Sequence, residues 1–301
     1  MKGGVLKILV TGASGMLGSD LCKIFSAESE IIATDLPNRI PFKETSEIKI
    51  TEMDVRNYDR INLIFEKFKP DIAVHLAAKT DVDGCESDID GAYKTNTIGT
   101  KNIALACRKF DSVMVYLSTG SVFDGEKKSP YTEFDIPNPM SIYSKSKYEG
   151  ELMVQKFLNK FFIIRAGWMF GGGIEDKKFV AKIMDLARTK SELKVVNDKF
   201  GSPTYTKDIS KGIMAMIGTE MYGAYHMVNT GYCSRHECAK KILEFANIKT
   251  CRLVPISSDE YPLPAKRPRM EALKNYHLEL IEMNVMRPWE EALKEYVNEI
   301  A

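Results

Sequence analysis

The run TGASGMLG at residues 11–18 leaves few choices for the backbone around it. It follows VLKILVT (5–11), which reads as a buried strand, and it opens a helical pattern over 15–27. Glycines at 12, 15 and 18 allow a tight turn, close approach of backbone to a pyrophosphate, and close helix–strand packing. The helix that starts there offers unpaired N–H groups and the positive end of its dipole to phosphate. Glycines also serve plain turns, but the agreement of strand, helix and spacing favours the dinucleotide reading.

The segments that follow keep the rhythm of a parallel sheet covered on both faces. Strands are expected at 31–35, 48–55, 72–78, 113–118 and 161–165, and helices at 57–68, 88–110 and 141–158. After about residue 167 the rhythm changes. Helices are expected at 180–188, 206–217, 235–245 and 287–300, strands at 193–197 and 223–228, and a long loop at 255–268, which holds four prolines. The fold class is therefore α/β, a doubly wound parallel sheet of Rossmann type (1–166) with a smaller C-terminal α/β substrate lobe (167–301). Some later segments are expected to return to the first domain.

Composition serves mainly to exclude. A net charge of +1 gives no bulk attraction to nucleic acid or a membrane surface, and no apolar run is long enough to span a bilayer. No leader pattern opens the chain, and the six cysteines form no C-x-x-C pair, so a reducing cytoplasmic setting is expected. His75, His226, His236 and His277 lack metal-ligand spacing, and no metal is expected; His75, in an apolar strand, reads as a packed core histidine.

Asp35 ends the second strand, where a carboxylate accepts hydrogen bonds from both hydroxyls of an adenosine ribose and repels a 2′-phosphate. NAD(H) is favoured over NADP(H); Arg39, close by, softens that preference. Asp54 with Val55 stands either against the adenine or as a cap on the next helix. Ala77 and Ala78 are small enough to lie against a cofactor. Tyr143 and Lys147, four apart, share a helix face. A neighbouring ammonium stabilises a phenolate, so the pair can move a proton while hydride moves to or from a nicotinamide. Thr119 and Ser118 end a strand at the carboxyl edge of the sheet, where Thr119 meets the reacting oxygen and Ser118 supports it or satisfies backbone groups.

These residues carry a resemblance. TGASGMLG (11–18), HLAA (75–78), KTNTIGTKNI around Asn96, LSTGSVFDG (117–125) and YSKSK (143–147) resemble the extended short-chain dehydrogenase/reductase superfamily. Within it the chain is most similar to the dTDP-4-dehydrorhamnose reductases, on VFDG (122–125), IIRAGWMFG (163–171), FGSPTYTKDI (200–209) and RPRMEALKN (267–275). The resemblance implies hydride transfer at C4 of a nucleotide-linked 4-keto-6-deoxy sugar, with Thr119, Tyr143 and Lys147 as the catalytic triad. It adds Gly12, Ser14, Gly15, Met16, Leu17, Gly18, Lys79, Asn96 and Ser118 to the cofactor side, with Lys147 also on the nicotinamide ribose. It places Thr80, Val82, Ser121 and Trp168 at the sugar, and Arg267 on the substrate's diphosphate. For Trp168 the alternative is a core aromatic, and for Arg267 a solvated loop charge. The superfamily often pairs through the two long helices, which implies a homodimer.

Two departures touch substrate recognition. The usual Asp-Tyr after the catalytic threonine is Gly120-Ser121, and the usual Asn-Ser after the Arg-Pro loop is replaced in the run 267–271, RPRME. Two other functions are consistent with the motifs: an epimerase or dehydratase that recycles tightly held NAD, and a cofactor-binding regulatory subunit. Gly120 speaks against the dehydratase, and the intact Tyr143/Lys147 pair against the subunit.

Overall fold

A computed structural model describes residues 5–37, 49–173 and 178–301. Arg39 lies outside the described residues, as does the start of the strand expected at 48–55. In chain order the elements are β1 (Leu6–Thr11), α1 (Met16–Phe25), β2 (Ser29–Asp35), β3 (Thr51–Glu52), α2 (Tyr58–Phe68), β4 (Ile72–His75), α3 (Val82–Ser87), α4 (Ile89–Tyr93), α5 (Thr100–Phe110), β5 (Val113–Thr119), α6 (Ile142–Phe157) and β6 (Phe161–Ala166). There follow β7 (Met169–Phe170), α7 (Phe179–Thr189), β8 (Glu192–Val196), β9 (Phe200–Gly201), β10 (Thr204–Tyr205), α8 (Thr206–Ile217), β11 (Gly223–His226), β12 (Cys233–Ser234), α9 (Arg235–Phe245), β13 (Arg252–Ile256), α10 (Tyr276–Leu280) and α11 (Trp289–Ile300).

Seven strands form one parallel sheet in the order β11-β6-β5-β4-β1-β2-β3. Side chains alternate faces along a strand, so one strand feeds two cores. Ile8 and Val10 pack with Leu21 and Phe25 of α1 and Ile213 of α8. Leu9 points the other way, toward Ile61 and Phe65 of α2 and Ile103 of α5. The order reverses between β1 and β4, which opens a crevice at their carboxyl ends. A separate core, with Leu193, Ile242 and Leu293, joins the β8–β13 pair to α7, α9 and α11. Asp20 of α1 ties the two parts together: its Oδ2 accepts from Thr206 Oγ1 at 2.5 Å and from Gly172 N at 3.2 Å.

Local chemistry sets the helix ends. Asn57 and Ser141 cap α2 and α6 by accepting from Arg60 N and Ser144 N, and Ser234 with Glu237 forms a capping box on α9. The helix expected over 88–110 is less uniform. Asp88 caps its start by accepting from Gly91 N, and residues Lys94–Gly99 widen into a π-helical stretch between α4 and α5. Asn96, in that stretch, is buried and tied to Lys79 and Ser146, contacts that spacing alone does not show. The expected proline-rich loop begins inside β13, where Pro255 sits in a two-stranded pair opposite Val195. A proline lacks only the donor, so such a strand tolerates it.

Candidate active site

One cleft of about 1290 Å³ runs along the carboxyl ends of the strands and into the second part of the chain. At its inner end lies the glycine turn. Gly12 has φ +70°, and a Cβ there would come within 2.9 Å of Ala77 N; a Cβ on Gly18 would lie 2.4 Å from Gly12 O. Neither position can carry a side chain without displacing backbone. Helix α1 starts with no side-chain cap, so its first N–H groups remain available. Ser14 Oγ is buried beside the turn with no hydrogen-bond partner among the described residues. A shaped backbone cradle and an unsatisfied buried hydroxyl fit a bound dinucleotide.

Met16, Leu17, Ala77, Ala78, Lys79 and Val55 line this end. Asp35 does so as well, and its carboxylate accepts from Ser14 N at 2.9 Å and Leu36 N at 2.8 Å. Asp54 does not cap α2; it pairs with Arg56 at 2.6 Å, and that cation holds its carboxyl below the usual range. Arg56, which sequence reasoning missed, pairs with Asp54 and lines the same cleft as Asp35. Asn96 is a correction. It does not line the cleft: Oδ1 accepts from Lys79 N at 2.8 Å, and Nδ2 donates to Lys79 O and Ser146 Oγ. With its amide used up, Asn96 fixes the strand-end loop that carries Lys79.

Thr119, Tyr143 and Lys147 come together midway along the cleft. Thr119 ends β5, while Tyr143 and Lys147 share one face of α6. That helix lies very close to β5: a Cβ on Gly150 would fall 2.3 Å from Tyr116 Oη, which donates to Lys147 O at 3.0 Å. Burial pushes the Tyr143 phenol up to about 12, the nearby Thr119 hydroxyl works against this, and Cys85 and Glu271 add to it. Lys147 does not lower it, which corrects the expectation. Its ammonium donates to Leu117 O at 2.6 Å and lies 4.2 Å from the Tyr116 ring centroid. Burial pulls Lys147 down to about 7, against the pull of Glu151. Tyr143 is thus a neutral phenol, suited to giving a proton rather than taking one.

Behind this cluster stands a buried ion pair that no motif announced. Glu151 accepts from Arg165 Nη2 at 2.7 Å and from Ser118 Oγ at 2.5 Å. Ser118 therefore answers to a carboxylate on α6, although its residue still lines the cleft. His75 is fully buried between Thr11 and Thr100 and kept neutral by burial, at about 3.

The outer half of the cleft carries Thr80, Val82, Ser121, Trp168 and Arg267, with Lys182, Lys194, Lys199, Arg235 and Lys266. Trp168 has φ +27°, a strained value for a non-glycine residue. Its ring lies against Gly201, where a Cβ would be 2.2 Å away, and Arg235 sits 3.5 Å from its centroid. Arg267 is neither a solvated charge nor an open anion site. Its Nη1 and Nη2 bind Asp83 at 2.9 and 2.8 Å, so its fork already faces a carboxylate. Among the described residues no group of three His, Cys, Asp or Glu side chains is placed to hold a metal.

The chain is similar to known proteins over nearly its whole length. A family model described as the RmlD substrate binding domain matches residues 6–301. The spore coat polysaccharide biosynthesis protein SpsK of Bacillus subtilis is 36% identical, over 97% of this chain and 97% of its own length. A crystal structure of a dTDP-4-dehydrorhamnose reductase from Clostridium acetobutylicum superposes with a TM-score of 0.87 at 38% identity, over 97% of this chain and 99% of that one. The Bacillus anthracis dTDP-4-dehydrorhamnose reductase, solved in complex with NADP, superposes with a TM-score of 0.89 at 34% identity, over 98% and 100%.

Proposed function

Because the chain belongs to the RmlD substrate binding domain family, we propose that it is an NAD(P)H-dependent reductase of a nucleotide-linked 4-keto-6-deoxy sugar of the dTDP-4-dehydrorhamnose type. The observation that carries the reading is the single cleft. It joins a dinucleotide cradle at Gly12–Gly18, a proton donor at Tyr143, and a basic outer half suited to a diphosphate. A bound nicotinamide dinucleotide supplies the hydride. Tyr143 gives its proton to the oxygen that becomes the hydroxyl, and Thr119 holds the same oxygen. Lys147, whose ammonium donates to Leu117 O, contacts the ribose of the nicotinamide. The backbone amides at the turn and Ser14 hold the pyrophosphate.

NADH is the favoured cofactor, because a carboxylate at the end of β2, such as Asp35, accepts from ribose hydroxyls and repels a 2′-phosphate. Arg56 gives that phosphate a cation, so NADPH is also accepted. Six free, buried cysteines suit a reducing cytoplasm, and no described helix is long and apolar enough to cross a membrane. The outer faces of α4 to α6, where Ile89 and Ile98 are exposed, supply the homodimer contact.

The test is net oxidation of NADH or NADPH on addition of dTDP-4-dehydrorhamnose, with Tyr143→Phe reducing the rate by about a hundredfold or more. Near-full activity in that variant would remove Tyr143 as the donor. Turnover of a nucleotide sugar with no net cofactor consumption would move the chain to the epimerases.

A further inference from the structure

The two places where this chain departs from the reductase motifs meet in space. Ser121 Oγ donates to Glu271 Oε1 at 2.6 Å, and Trp168 Nε1 donates to Oε2 at 2.9 Å. The backbones are matched as well. A Cβ on Gly120 would lie 3.1 Å from Glu271 O and 3.3 Å from the Leu273 side chain, so a larger residue there would press on the segment that carries Glu271. Arg235, over the Trp168 ring, adds a favourable charge beside the carboxylate. Glu271 is therefore held from both ends while it lines the cleft.

A carboxylate has about four acceptor sites and no donor. Ser121 and Trp168 fill one site on each oxygen, so whatever ligand lies against Glu271 must bring a hydroxyl or N–H of its own. Its place in the cleft narrows the choice. Thr119 Oγ1, which faces the reacting oxygen, is 3.3 Å from Ser121 Oγ, the group that touches Glu271. On a 4-keto-6-deoxyhexose the neighbours of carbon 4 are carbon 3, with a hydroxyl, and carbon 5, with a methyl group. Only carbon 3 offers a donor.

We infer that Glu271, fixed by Ser121 and Trp168, is the specificity-determining acceptor for the sugar hydroxyl next to the keto carbon. The identity of the sugar rests on the reductase reading above; the acceptor role rests on the Ser121–Glu271–Trp168 geometry. Such a site selects 3-hydroxy sugars over 3-deoxy sugars, since a sugar without the donor leaves the acceptor desolvated and unpaired.

The experiment compares dTDP-4-dehydrorhamnose with its 3-deoxy counterpart, in the full chain and in Glu271→Gln and Ser121→Ala. The unaltered chain should prefer the hydroxylated sugar in kcat/KM by about a hundredfold. Glu271→Gln should reduce that preference to about tenfold or less through loss on the hydroxylated sugar, with KM for NADH unchanged. Ser121→Ala should shift it in the same direction. Equal loss on both sugars would mark a merely structural residue and overturn the inference. If the unaltered chain reduces neither sugar, the reductase reading fails. Calorimetric binding of dTDP-rhamnose against its 3-deoxy counterpart then decides the acceptor role: a preference that Glu271→Gln abolishes supports it, and equal affinities in the unaltered chain overturn it.

Discussion

Replacing Glu151 by Gln should cost stability and shift activity at once. The side chain is fully buried on α6 and faces Arg165 of β6, itself only 6% exposed. The carboxylate takes Arg165 Nε and Nη2 and the Ser118 hydroxyl together. Glutamine keeps the shape and one acceptor but leaves the guanidinium charge without a counter-charge. Removing one partner of a buried pair costs about 3–5 kcal/mol, and the retained acceptor places this case near 3 kcal/mol. With a urea m-value of about 3 kcal/mol/M, the unfolding midpoint should fall by roughly 1 M at unchanged m. The double replacement Glu151→Leu with Arg165→Met removes both charges, and should recover most of that loss apart from about 1 kcal/mol for the stranded Ser118 hydroxyl. Because Glu151 raises the proton affinity of Lys147, Glu151→Gln should also move the Lys147-dependent limb of the kcat/KM profile to lower pH. A midpoint within about 0.3 M of the parent, or a double variant no more stable than the single one, would refute the reasoning.

Lys147, held near 7 in the free protein, loses its charge as pH rises; kcat/KM should therefore decline as pH rises through about 7, and a profile flat to about pH 9 would contradict this. Gly150→Ala would place a Cβ 2.3 Å from Tyr116 Oη and 2.8 Å from Asn96 O, and should destabilise by about 1–3 kcal/mol in chemical unfolding. Arg56→Ala should raise KM for NADPH about tenfold with little change for NADH, because one charge-assisted contact to the 2′-phosphate is lost; a parallel rise for both cofactors would place Arg56 elsewhere.

What could be read from the sequence was whatever a short stretch of chain decides for itself. The turn at 11–18 needs only the spacing of its glycines, and the Tyr143/Lys147 face needs only a helix. The strands of the first half announce themselves because both faces are buried. Contacts between distant segments were not legible. Glu151 with Arg165, Asp83 with Arg267 and Ser121 with Glu271 are pairings that the fold makes, and no spacing encodes them. The direction of the Lys147 ammonium was hidden for the same reason: the Leu117 carbonyl competes for it from another element. The widening at Lys94–Gly99 carries Asn96, whose partners Lys79 and Ser146 lie on other segments, so a periodic pattern there reads as plain helix.

Strand β11 has a consequence for how the chain is made. It arises more than fifty residues after β6, yet it pairs with Phe162–Arg165 along that strand's outer edge. During synthesis the apolar segment Phe161–Ala166 emerges first and stays open on one side, a template for pairing with any other exposed strand. A fragment ending near residue 166 would keep that edge permanently. The first half is therefore not a severable module: cut off near residue 166, it should lose the cover that β11 gives to the edge of β6.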